Sequence, residues 1–128
     1  MLTTNKTWVR VCQLDELPTD KAVNVHINNQ RLVVGRCGSA AYIAQGYCSH
    51  MLFALKDAPI AECVITCPLH GSQFNLQDGS IVHWPLPITD EIRARKVLKT
   101  YETEVREGVL YVSWATDEPD KVRVRLQV

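Results

Sequence analysis

The sequence predicts an all-β fold, an antiparallel sheet sandwich or barrel. Three observations predict it: short β-rich runs, turn residues at close intervals between them, and few helix signals. Taken in order, residues 8–12 alternate around valines. Residues 23–27 alternate again, and Asn28-Asn29 make a tight hairpin turn into 31–37. Gly38-Ser39 turns the chain into 40–44. Residues 61–66 read as one short apolar strand. Asp78-Gly79 reads as a hairpin turn between 74–76 and 81–82, and Glu107-Gly108 joins 101–106 to 109–114. Val122, Val124 and Leu126 alternate with Arg123, Arg125 and Gln127, as on a half-exposed strand. The best helix candidate, residues 90–98, is short and charge-rich. Pro85 and Pro87 punctuate the chain before it and predict a loop or sub-domain boundary there.

Size and composition narrow the function classes. The 128 residues suit one compact domain, and nearly half of them are apolar, enough for a real core. Fourteen basic and fourteen acidic residues balance, which gives no sign of a nucleic-acid surface. No run approaches the roughly 18 apolar residues that span a bilayer. The opening residues, Met1 to Lys6, carry no apolar stretch after their charge, so no secretory signal is expected and the cytoplasm is the simplest compartment. Five cysteines, an odd number, argue against a disulfide framework. Cys12, Cys37 and Cys63 read as buried small hydrophobes. Cys63 precedes Cys67 by four residues, which on an extended strand would place the two on one face about 13 Å apart.

The informative residues are Cys48-Ser49-His50 and Cys67-Pro68-Leu69-His70, with sixteen residues between His50 and Cys67. Each half offers one thiolate and one imidazole. Two metals can use such a set. Zinc accepts two cysteines and two histidines in a tetrahedron, which makes a structural zinc module the alternative of a different class. Zinc fingers, however, usually pair Cys with Cys and His with His within each half. A single residue between Cys48 and His50 is tight for chelating one ion, and the two reach neighbouring irons of a binuclear cluster more easily. A Rieske centre binds one iron through two thiolates and the other through two imidazoles.

The spacing C-x-H, sixteen residues, C-x-x-H resembles the signature of the Rieske [2Fe–2S] family. The run Cys67-Pro68-Leu69-His70-Gly71-Ser72-Gln73-Phe74-Asn75 is similar to the soluble Rieske ferredoxins of bacterial aromatic-ring-hydroxylating dioxygenase systems, as are Asp78-Gly79 and residues 101–112. The resemblance implies a Rieske fold with an antiparallel base, about 1–46 and 85–128, and a small cluster-binding sub-domain, about 47–84. It implies one [2Fe–2S] cluster on Cys48, His50, Cys67 and His70. It implies a monomeric one-electron carrier between an NAD(P)H-dependent flavoprotein reductase and a terminal Rieske non-haem iron aromatic-ring dioxygenase. It does not imply an enzyme: a terminal oxygenase needs a mononuclear iron on two histidines and a carboxylate, and only His26 and His83 remain. Service to a di-iron monooxygenase, or as a nitrite-reductase-type small subunit, stands as the alternative.

Departures from the family carry their own expectations. Rieske proteins of respiratory complexes carry an extra cysteine in each box and join the loops by a disulfide. Phe53 and Leu69 occupy those positions here, and Phe74 stands where those proteins place a tyrosine. Ser72 remains as one hydrogen-bond donor. Fewer donors to sulfur predict the low end of the Rieske range, nearer about −150 mV than +300 mV. Leu69, Met51 and Pro85 are the candidate apolar rim for a redox partner around outward-facing histidines. Residues 86–99 and the tail 115–128 exceed what the resemblance requires. Arg93, Arg95, Lys96 and Lys99 read first as a solvated face offset by Asp90 and Glu91, and second as a basic docking patch. His26 and His83 read as packing or surface residues, and Trp84 as packing beneath the cluster loops.

Overall fold

The computed structural model describes residues 6–50 and 53–127. Its strands in chain order are β1 (Lys6–Gln13), β2 (Val23–Ile27), β3 (Gln30–Cys37), β4 (Ala40–Gln45), β5 (Ile60–Ala61), β6 (Val64–Thr66), β7 (Gln73–Asn75), β8 (Ile81–His83), β9 (Thr100–Tyr101), β10 (Thr103–Arg106), β11 (Val109–Ala115) and β12 (Val124–Gln127). The helix α1 (Asp90–Arg95) lies between β8 and β9. Three antiparallel sheets result, with strand orders β1-β11-β10, β12-β2-β3-β4-β9 and β5-β6-β7-β8.

The five-stranded sheet is the middle layer. Along β3, Leu32 and Val34 face the core shared with the β1-β11-β10 sheet, whereas Val33 faces the core shared with the β5–β8 sheet. Ile43 and Ala44 divide in the same way on β4. A sheet covered on both faces has no need of polar alternation, which is why Leu32-Val33-Val34 is an unbroken apolar run. In β1 the register slips between Arg10 and Cys12, so that neighbouring Val11 and Cys12 both enter the core.

Turn chemistry sets the hairpins. Asn28 is left-handed between β2 and β3, and Glu107 and Gly108 are both left-handed between β10 and β11, as two-residue hairpin loops require. The single strand expected over 61–66 is instead a hairpin. Glu62 and Cys63 take φ of 52° and 64°, which reverses the chain between β5 and β6. Cys63 therefore sits on a turn and does not lie in line with Cys67. That reversal returns Cys63 to the end of β3, where it forms a disulfide with Cys37, their Cα atoms 5.3 Å apart. This corrects the expectation that Cys37 and Cys63 are free apolar side chains. The bond ties the middle sheet to the β5–β8 sheet.

Two further differences concern the ends of elements. The run expected as one strand over 101–106 breaks at Glu102: β9 pairs with β4 and β10 pairs with β11, so the chain changes sheets there. The helix stops at Arg95, with Lys96 as its C-cap, and Leu98 is buried in the core beneath the ligand loops. The tail adds β12 to the edge of the middle sheet beside β2, with Val124 and Leu126 packed on the core shared with the β1-β11-β10 sheet. No helix among the described residues is long and apolar enough to cross a membrane.

Candidate metal centre

The four candidate ligands come from two loops, one following β4 and one joining β6 to β7. Both loops close in the same way. Cys48 N–H donates to the Phe53 carbonyl at 2.9 Å, and Cys67 N–H donates to the Ser72 carbonyl at 2.8 Å, each bond spanning five residues. The first loop is fixed further by the Leu55 N–H to the Gly46 carbonyl, 2.9 Å, and by the Tyr47–Ala54 bridge. In the second, Gly71 N–H donates to the Cys67 carbonyl at 3.0 Å, with Gly71 at φ +80°. That left-handed turn falls where a side chain would be strained, which accounts for glycine immediately after His70.

The loops place their sulfurs and imidazoles differently. Cys48 and Cys67 are 1% and 2% exposed. His50 is half-buried and His70 is exposed. The two thiols are near neighbours, and the backbone N–H groups of Leu69 and His70 lie close enough to the Cys67 sulfur to favour its thiolate. Burial pushes the Cys67 thiol up, the Leu69 N–H opposes it, and the neighbouring Cys48 adds to the rise. The two imidazole rings meet edge to face, with centroids 5.3 Å apart. Trp84 packs its indole on His50 at 4.9 Å, as expected for a residue supporting the cluster loops.

Sulfur is thus paired with sulfur and imidazole with imidazole. Among the described residues, no three His, Cys, Asp or Glu side chains converge on one single-ion position. Two metals with two ligands each fit this arrangement better than one tetrahedral zinc. Ser72 supplies a further fit. It is fully buried, and its hydroxyl has no partner among the described residues, although buried hydroxyls are normally paired. A cluster sulfide or bound thiolate beside Cys67 is the acceptor such a donor needs. Phe74, two residues after Ser72, is buried and offers no donor.

The remaining sequence candidates fall elsewhere. His83 is exposed on β8, opposite Gln73. His26 is half-buried on β2, between Arg31 and Arg125 of its neighbouring strands. Cys12 is a buried thiol whose pKa is pushed up to about 11, chiefly by burial. Leu69 is exposed and Pro85 half-buried; Met51 lies outside the described residues. Two surface clefts of about 370 Å³ lie beside Tyr101 and Trp114 and beside Leu14 and Arg36, and none of the four ligand candidates lines either.

Sequence reasoning missed the strap that holds the first loop. The Ser49 hydroxyl donates to the Lys96 carbonyl. Gln45 N–H donates to the Lys99 carbonyl, and Lys99 N–H donates back to Gln45 Oε1, both at 2.8 Å. The same Gln45 side chain donates to the Tyr47 carbonyl at 2.7 Å. Leu98 N–H donates to the Gly79 carbonyl at 2.9 Å, tying the strap to the β7–β8 turn as well. These partners lie up to 54 residues apart in sequence, so no short motif announces them.

Comparison with known proteins places the chain in a family. The chain is 30% identical over 111 residues to ferredoxin CarAc of Metapseudomonas resinovorans, covering 85% of this chain and 95% of the relative. It is 30% identical over 105 residues to the methanesulfonate monooxygenase ferredoxin subunit of Methylosulfonomonas methylovora, covering 81% and 78%. Among solved structures, a chain from the complex of reduced oxygenase and oxidized ferredoxin in carbazole 1,9a-dioxygenase superposes with a TM-score of 0.67 at 28% identity, over 81% of this chain and 99% of that one. Residues 7–102 match the Rieske [2Fe-2S] domain, a family whose domain holds one [2Fe–2S] cluster, and the chain belongs to that family.

Proposed function

We propose that Cys48, Cys67, His50 and His70 hold the [2Fe–2S] cluster, the thiolates on one iron and the imidazoles on the other, and that the protein carries one electron at a time to a terminal oxygenase. The cluster supplies a one-electron redox couple. The chain's residues do the rest. Cys48 and Cys67 bind from a buried pocket that excludes water from the sulfurs. The N–H groups of Leu69 and His70 and the Ser72 hydroxyl offset negative charge there. His50 and His70 hold the outer end and keep a ring N–H for a partner's carboxylate or carbonyl. The observation that carries the reading is this polarity, fully buried thiols beside a half-buried His50 and an exposed His70, which brings the redox centre close to a docked protein while the sulfurs stay covered.

Leu69 and Leu86, both exposed, supply the apolar rim of a small, weak interface at this end. We read residues 47–84 as the cluster sub-domain and the flanking segments as the base, with Leu98 reaching back to pack beneath the loops. The electron source is a flavoprotein reductase, the acceptor an aromatic-ring dioxygenase, and the working form a monomer. A monooxygenase as acceptor is the second reading, favoured by the similarity to the methanesulfonate monooxygenase ferredoxin subunit. Leu69→Asp tests the docking end. Electron delivery to the oxygenase is expected to slow while the cluster spectrum stays unchanged; unaltered delivery would remove the histidine end from the interface.

A further inference from the structure

The strap from 86 to 99 does more than hold a loop. We infer that Arg93 and Lys96 form a basic docking ledge beside the histidine end, fitted to an acidic patch around the redox centre of the oxygenase. The inference rests on the carrier reading above and adds the chemistry of the partner's surface.

Three observations carry it. The first is position. Lys96 is held at its carbonyl by Ser49, the residue between ligand candidates Cys48 and His50. Gln45 grips Lys99 with its backbone N–H and its side-chain oxygen, and Leu98, 1% exposed, anchors the strap in the core beneath the loops. The ledge therefore keeps a fixed relation to the cluster loops and does not trail from them.

The second observation is charge. Arg95 is committed to Glu91 at 2.6 Å, and the Lys99 ammonium lies over the Tyr101 ring at 5.1 Å. Arg93 and Lys96, three residues apart and hence on one side of the helix end, are exposed and have no ion pair among the described residues. Cations at a helix C-terminus also answer the helix dipole, which is the purely structural reason for them. That reason needs no particular neighbours.

The third observation is where apolar side chains are exposed. Of the seven large apolar side chains exposed among the described residues, only Trp8 lies outside 47–97. The other six, Tyr47, Phe53, Leu69, Val82, Leu86 and Val97, belong to the ligand loops, β8 and the strap. Leu86 and Val97 lie on the strap itself, and a segment that exposes apolar side chains together with unpaired cations can steer by charge and hold by burial, whereas a merely solvated face would carry the cations alone.

The test is stopped-flow electron transfer from the reduced holoprotein to its oxygenase, at several ionic strengths. The wild type is expected to slow as salt rises. R93E/K96E is expected to lose about tenfold or more of the second-order rate at low salt and to lose the salt dependence. R93Q/K96Q should fall between the two. Arg125→Glu, an exposed charge on β12, should behave as wild type. The cluster's electron paramagnetic resonance spectrum and midpoint potential should be the same in all variants. A wild-type rate and salt slope in R93E/K96E would overturn the ledge. If Leu69→Asp slows transfer while R93E/K96E does not, the docking end stands and only the ledge falls. If neither slows it, the docking reading itself falls.

Discussion

Replacing Cys37 with serine is expected to destabilise the protein without touching the cluster. The Cys37–Cys63 bond spans a sequence separation of 26 residues and joins the middle sheet to the turn just before the second ligand loop. Closing a loop of that length removes about 12 cal/mol/K from the unfolded chain, or about 3.5 kcal/mol at 25 °C. For a chain of 128 residues the unfolding entropy is about 0.27 kcal/mol/K, so the melting temperature should fall by about 13 °C. Serine nearly matches cysteine in shape, which keeps packing losses small beside the lost cross-link. The assay is thermal unfolding of Cys37→Ser, Cys63→Ser and the double variant at one scan rate, with thiol titration of the unfolded wild type under non-reducing conditions. The three variants should melt together, because each removes the same single bond. All should retain the cluster spectrum, since neither cysteine is a proposed ligand. Five titratable thiols in metal-free wild-type protein, or variants melting with the wild type, would refute the cross-link and its energetic role.

The same structure predicts other outcomes. Ser72→Ala removes the one buried serine or threonine hydroxyl among the described residues. If half of a charge-assisted bond of about 1.5–3 kcal/mol distinguishes the redox states, the midpoint potential should drop by about 50 mV in a dye-mediated titration. An unshifted potential would mean that the hydroxyl does not reach the cluster. Gly79→Ala should cost more than about 3 kcal/mol in denaturant unfolding, because its new Cβ would lie 1.9 Å from the Leu98 carbonyl oxygen as well as at φ +78°. Gly71→Ala, at φ +80° with open space around it, should cost only the backbone strain of about 1–2 kcal/mol. Equal losses at the two positions would contradict the close seat of the strap on the β7–β8 turn.

What could be read from the sequence follows from how local each signal is. Hairpins with two-residue turns, such as Asn28-Asn29 and Glu107-Gly108, announce themselves because the turn residues and the strands they join are neighbours. The four ligand candidates were legible because each box concentrates unusual chemistry within three or four residues. The hairpin at Glu62-Cys63 was not legible. Neither residue is a usual choice for a left-handed turn, and the apolar run around them reads as one strand. That one misreading hid the disulfide, since Cys63 on a strand has no path back to Cys37. The strap was hidden for another reason. Its bonds join Gln45 and Ser49 to residues 96–99, and polar side chains carry no mark of a distant backbone partner. The break at Glu102 likewise arises from tertiary packing, which gives β9 and β10 to different sheets.

The account's central claim is that Cys48, His50, Cys67 and His70 hold one binuclear cluster. Metal and acid-labile sulfide analysis of anaerobically purified protein, combined with electron paramagnetic resonance before and after reduction, tests it most directly. The account predicts two irons and two sulfides per chain, silence when oxidised, and on reduction a signal with mean g below two that His50→Ala abolishes. Stoichiometric zinc without iron or sulfide, or a wild-type signal surviving in His50→Ala, would contradict it.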